Sequence, residues 1–194
     1  SVGTISSYSG DNYPSAAFSA KVGTDSIYIA IERAVLPDEV EIRVLTTTSI
    51  PSNNYAVVNI TNATSGIVYR KPCITVQQRS LGLPQNTMIT CTRNNRAVYH
   101  YSTNWGNSWS ADNNLGLPSQ QVSLTYCSSD TLTDGNGYFI ACAIDNDGDS
   151  ILVRRGILTN MGVISHKKNS NEASSSVFPV CAIYRNGNNK YSAI

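Results

Sequence analysis

Three carboxylates alternate beside a glycine in the stretch DNDGDS, residues 145–150: Asp145, Asp147 and Asp149. Oxygen-rich loops of this composition hold Ca²⁺, a hard cation that takes carboxylate and carbonyl ligands. The stretch is therefore a candidate calcium site. The reading against it is a solvated turn between strands, because no Glu closes it at the distance an EF-hand requires and its flanks have strand character. His100 and His166 stand alone, so neither a metal pair nor a Ser–His–Asp arrangement can be argued from them. The five cysteines, Cys73, Cys91, Cys127, Cys142 and Cys181, contain no CxxC pair, and zinc spacings are absent. Both tryptophans fall in STNWGNSW, residues 102–109, together with Gly106 and three hydroxyls. Of the two, Trp105 is the candidate for ligand contact.

The composition narrows the class. Only 14% of the 194 residues are charged, against roughly 25% in an average soluble protein. Ser, Thr, Asn and Tyr fill the difference, as in many extracellular β-proteins. Net charge is +1 with scattered Lys and Arg, so the basic footprint of a nucleic-acid binder is missing. Lys167 and Lys168 read as a solvated pair. No apolar run approaches the ~20 residues that a membrane-spanning helix needs. NIT at Asn59 and NAT at Asn62 are acceptor triplets for N-glycosylation, and they point to a secreted or cell-surface protein.

Helical periodicity is nearly absent. Short runs of β-branched and aromatic residues recur instead, broken by Gly, Asn, Asp and Pro. They group in fours: PSAAFSA, DSIYIAIERA, EVEIRVLTTT and YAVVNIT; then KPCITVQQ, NTMITCTR, RAVYHYST and SWSADN; then QVSLTYCS, GYFIACAI, SILVRRGI and VISHKK; then SVFPVCAIYR and KYSAI. Cys91 and Cys142 hold matching places, and TNWG at 103–106 matches TNMG at 159–162. Four antiparallel strands in a period of about fifty residues are the signature of a propeller blade. The alternative is another all-β architecture such as a sandwich. The expected fold is all-β, one propeller-type domain over residues 1–194. Its blades would span about 13–68, 69–118 and 119–170, with an incomplete fourth over 171–194. Tyr99, Tyr101 and His100 are expected to pack between blades.

STNWGNSW resembles the Asp-box, S-x-D-x-G-x-x-W, of sialidase-type (BNR-repeat) β-propellers. Ser102, Gly106 and Trp109 fit, and Asn104 stands where Asp is usual. In that family the motif is a hairpin turn between the outer strands of a blade, which makes Trp109 structural. Tyr69–Pro72, YRKP, looks like the Y/F-R-I-P motif of a sialidase blade, whose Arg belongs to a cluster gripping the sialate carboxylate. The resemblance implies that Arg70 faces a central cavity as a ligand contact. It places Arg93 near a further Arg of the family. Active sialidases of this pattern carry an acid/base Asp in the loop after the second strand. Here that loop is TRNNRA, residues 92–97, and Asn cannot deliver a proton.

The implied function is a non-catalytic extracellular recognition or assembly module that binds glycan or protein through a propeller face. The alternative is part of a sialidase-like glycoside hydrolase. No cofactor is implied beyond the candidate calcium. Within the repeat, Cys73 and Cys127 lie on first strands and Cys91 and Cys142 on second strands, which predicts disulfides Cys73–Cys91 and Cys127–Cys142. Cys181 is left over, and the unfinished fourth blade predicts further polypeptide or another subunit to complete it.

Overall fold

The computed structural model describes residues 11–19, 26–36, 39–47, 56–61, 66–77, 85–115, 122–129, 138–145, 150–168, 183–185 and 191–193. Every regular element among them is a strand. The first sheet runs β1 (Asp11–Ser19), β2 (Ser26–Leu36), β3 (Glu39–Thr47) and β4 (Ala56–Asn59). The second runs β5 (Tyr69–Gln77), β6 (Asn86–Arg93), β7 (Arg96–Ser102) and β8 (Asn113–Asn114). The third runs β9 (Val122–Ser129), β10 (Phe139–Asp145), β11 (Ser150–Ile157) and β12 (Asn160–Lys168). β13 (Ile183–Arg185) and β14 (Tyr191–Ala193) form a two-stranded pair. In each sheet the strands pair in chain order and antiparallel. Among the described residues, no helix is long and apolar enough to cross a membrane.

The sheets stack through their faces. Tyr28, Ala30, Ile42 and Val44 of the first sheet meet Tyr69, Ile74, Val76, Ile89, Cys91 and Val98 of the second. Met88, Ala97, Tyr99 and Leu115, on the second sheet's other face, meet Cys127, Phe139, Ala141, Ala143 and Leu152 of the third. Thus β6 is buried from Thr87 to Thr92 without a break, as expected of a strand covered on both faces. The first strands also adjoin one another, β5 against β1 and β9 against β5. Smaller apolar groups lie on the remaining faces: Ile29 and Ile31 on the first sheet, Ile140 and Cys142 on the third.

The strand expected in SWSADN shrinks to Asn113–Asn114. Ladder bonds persist on either side, from Ser110 N to Tyr101 O at 2.9 Å and from Leu115 N to Ala97 O at 3.0 Å. Between them the Asn113 amide bonds Ala111 O at 2.8 Å and Ser110 Oγ at 3.0 Å, a local arrangement that competes with strand pairing.

The register overturns both expected disulfides. Cys73 lies opposite Thr90 rather than Cys91, and Cys127 lies opposite Ala141 rather than Cys142. A one-residue offset sends two side chains to opposite faces of a sheet. Cys91 therefore enters the interface with the first sheet, whereas Cys73 and Cys127 meet between the second and third. Cys73, Cys91, Cys127 and Cys142 are all thiols. Cys181 lies outside the described residues.

Ile89 is fully buried in the first interface. Truncation removes its transfer energy and leaves a cavity, so Ile89→Ala is expected to cost about 2–5 kcal/mol. Urea unfolding of the two proteins checks this through the shift in midpoint at constant slope.

Candidate functional site

Residues 93–96 form a two-residue hairpin. Arg93 pairs with Arg96, and Asn94 and Asn95 have φ of 46° and 61°. Positive φ at both central positions is what a type I′ turn requires, and Asn tolerates it. Asn94 also ties the hairpin to the entry of β5. Its Oδ1 accepts from Val68 N at 2.8 Å, its Nδ2 donates to Gly66 O at 2.9 Å, and its backbone N donates to Val68 O at 2.9 Å. Val68, Arg70, Thr92, Asn94 and Asn95 line a depression of about 340 Å³.

Arg70 borders that depression with half of its side chain exposed. Its Nη1 lies 3.9 Å from Oε1 of Glu32, a carboxylate only 2% exposed. Glu32 Oε2 also accepts from Lys71 N at 2.9 Å. The β5 bulge between Arg70 and Cys73 presents this amide, with Lys71 at φ 53°. The buried carboxylate thus holds both the bulge and the guanidinium.

Arg93 belongs to a different group. It lies opposite Tyr69, whereas Arg70 lies opposite Thr92, so alternation directs the two arginines to opposite faces. Arg93 Nη1 bonds Asp112 Oδ2 at 2.7 Å, and its guanidinium carbon sits 6.0 Å from the Tyr69 ring centre. The Tyr69 hydroxyl donates to Asp112, at 3.0 Å from Oδ2 and 3.2 Å from Oδ1. His100 completes the group, with Nε2 3.2 Å from Asp112 Oδ1 and Nδ1 3.1 Å from Ser110 O.

The chemistry of this group is restrained by burial. The Tyr69 phenol is pushed well above its ordinary range, first by burial and then by the neighbouring Asp112 charge, so it is a hydrogen-bond donor and not a nucleophile. The Cys91 thiol is likewise pushed far up by burial and is inert. His100 is held below its ordinary value, mainly by burial, against the opposing pull of the Ser110 carbonyl and Asp112. With Nδ1 of the neutral ring donating to the Ser110 carbonyl, Nε2 is bare. Nε2 makes no hydrogen bond although a carboxylate oxygen is 3.2 Å away. Two acceptors face each other there, and the contact is an ion pair only when the ring is protonated.

Residues 102–109 form a turn held by short polar side chains. Ser102 Oγ accepts from Gly106 N at 3.0 Å and Asn104 N at 3.3 Å, and it donates to Asn104 Oδ1 at 2.9 Å. Asn104 Oδ1 accepts from Ser108 N at 3.0 Å, and Nδ2 donates to Ser108 Oγ at 2.8 Å. Trp109 folds back, its Nε1 donating to Gly106 O at 3.0 Å, and its ring packs on the interface with the first sheet. Trp105 is half-buried with φ 65°, and its carbonyl accepts from Tyr28 OH at 3.4 Å.

The arginines and Trp105 do not converge. Arg93 ends β6, whereas Ser102, where the turn begins, lies opposite Thr87 at the other end of that strand. Six residues of strand separate them by roughly 20 Å. His100, Tyr99 and Tyr101 pack between sheets as expected; the two tyrosine rings stack at 6.3 Å. Asn59 ends β4, and the adjoining Thr61 hydroxyl accepts from Ile42 N at 2.8 Å. Asn62, Asp147 and Asp149 lie outside the described residues; Asp145 is the last residue of β10. Glu32 and Asp112 were missed as site residues. Alternation in SIYIAIERA places Glu32 on the face of Tyr28 and Ala30, a polar residue on an apolar face, and that signal was readable. Asp112 carries no local signal, since its partners come from three strands.

Gly106 is buried at φ 76°, and an added Cβ there would lie 3.2 Å from Tyr28 Cε1. Gly106→Ala is expected to cost roughly 1–3 kcal/mol from left-handed strain plus this contact, read as a lower urea midpoint. For His100 the linkage follows from its lowered value. The unfolded chain binds the ring proton more readily, so the stability associated with neutral His100 is complete above about pH 6.5 and is lost as pH falls below it. Unfolding measured from pH 7.5 to 5 is expected to show declining stability, with a shallower decline in His100→Gln.

No family model matches the chain and no curated protein is detectably similar to it, so the residues above carry the functional reading.

Proposed function

We propose that this chain is a section of a sialidase-like β-propeller that serves as a non-catalytic, extracellular recognition module. Its ligand would be a glycan or protein bearing a carboxylate, held at the depression beside Arg70. Three four-stranded antiparallel sheets in chain order, stacked by their faces with first strands adjoining, support the blade reading. So does the turn at 102–109, where Asn104 Oδ1 accepts as the Asp of an Asp-box would, while its amide adds a bond to Ser108.

The observation that carries the non-catalytic reading is Asn94. The hairpin that would have to present an acid/base carboxylate is closed in two residues, and Asn94 commits both ends of its amide to the backbone at 66 and 68. Arg70 retains the exposed guanidinium that a carboxylate ligand requires, oriented from behind by Glu32. A bidentate arginine suits that planar anion.

Titration with a sialylated oligosaccharide, with its desialylated form as control, tests the reading. A charge-assisted hydrogen bond contributes roughly 1.5–3 kcal/mol, so Arg70→Ala is expected to weaken binding about ten- to a hundredfold. Equal binding by Arg70→Ala removes Arg70 as the contact. Hydrolysis of a fluorogenic sialoside that is abolished by Arg70→Ala establishes the hydrolase alternative instead.

A further inference from the structure

Cys73 and Cys127 come together where the first strands of the second and third sheets adjoin. Cys127 N donates to Cys73 Sγ at 3.4 Å, and Cys127 Sγ lies 3.1 Å from Cys73 O. Cys73 Sγ in turn lies 3.8 Å from Cys127 O. The two residues are 54 positions apart in sequence, so this reciprocal contact is purely tertiary. They differ in access. Cys73 is half-buried and lines a cavity of about 220 Å³ with Pro14, Ser15, Lys71, Pro72, Thr125 and Tyr126, whereas Cys127 is buried behind it.

The surroundings favour a thiolate at the accessible sulfur. Hydrogen bonding from the Cys127 thiol is the largest influence. It outweighs burial and is joined by the Cys127 amide and the Ser15 hydroxyl, which together bring Cys73 down to about 7. Ser15 Oγ already accepts from Ile74 N at 3.1 Å, which leaves its own proton for Cys73. A thiolate near neutral pH is the nucleophile in thiol–disulfide exchange.

We infer that Cys73 and Cys127 are a redox-active pair, in which Cys73 attacks a low-molecular-weight disulfide from the cavity and Cys127 resolves the adduct into a bond between the second and third sheets. In the first step the Cys73 thiolate bonds one sulfur of the small disulfide, whose S–S bond breaks and releases one thiolate. In the second, Cys127 loses its proton and bonds Cys73 Sγ, releasing the other half as a second thiolate. The protein loses two electrons and two thiol protons; one small disulfide becomes two thiols. The inference is independent of the ligand proposed for Arg70.

The full reduced chain, incubated with oxidised glutathione at neutral pH and mapped by mass spectrometry without reduction, tests it. The expected product is a Cys73–Cys127 crosslink, with Cys91 and Cys142 unmodified. Cys127→Ser is expected to stop at a single glutathione on Cys73, and Cys73→Ser to leave Cys127 unmodified under the same conditions. Circular dichroism of both variants verifies that they fold. The pair is overturned if wild type accumulates glutathione on Cys73 without closing the crosslink. It is equally overturned if Cys73→Ser leaves the modification of Cys127 unchanged, or if Cys91 or Cys142 reacts as fast as Cys73.

Discussion

The structure depends on β6 being covered on both faces. A strand offers alternate side chains to opposite sides, and here both sides are buried interfaces, with Thr87, Thr90 and Thr92 among the apolar residues. Ile89 and Cys91 go to the first sheet, and Met88 goes to the third. Neither face is open to solvent, so a shift of one residue would exchange the two sets and spoil both interfaces together. The same alternation reaches β5 and β7 through the ladder. It places Tyr99 and His100, neighbours in sequence, in different interfaces, and it separates Arg70 from Arg93 in the same way.

That constraint explains where polar chemistry survives. Several polar side chains of the stack sit where the ladder is interrupted or the chain turns, and backbone groups and short side chains satisfy them there. Asp112 accepts from Arg93 and Tyr69 because the chain between β7 and β8 leaves the ladder there. Glu32 is satisfied because a bulge in β5 presents the Lys71 amide to it. His100, Thr87, Thr90 and Thr125 are the exceptions: each lies within a strand, and a buried side-chain polar atom of each makes no hydrogen bond.

The two regions with chemical potential are therefore distinct in character. The depression beside Arg70 is framed by a tight hairpin and lined by Arg70, Thr92, Asn94 and Asn95. The thiols of Cys73 and Cys127 lie at the junction of two sheets, where backbone amides and hydroxyls stabilise sulfur. Bonding them would tie together elements distant in sequence, and it would do so across sheets instead of within one.

The sequence by itself determined the all-β class, the order of the strands and the turn at 102–109. Those follow from local periods, turn residues and hydrogen bonds that close within eight residues. It also placed Tyr99, Tyr101 and His100 between sheets, because alternation on a strand is a local property. Only the tertiary structure decided the cysteines. Spacing in the repeat assigned Cys73 and Cys91 to neighbouring strands but not to opposite faces, since the β5 bulge shifts the register between Arg70 and Cys73. The partners of Asp112 and the meeting of Cys73 with Cys127 were beyond local reading for the same reason. They depend on how one sheet lies on the next, which is set by side chains far apart in the chain packing into a shared interior.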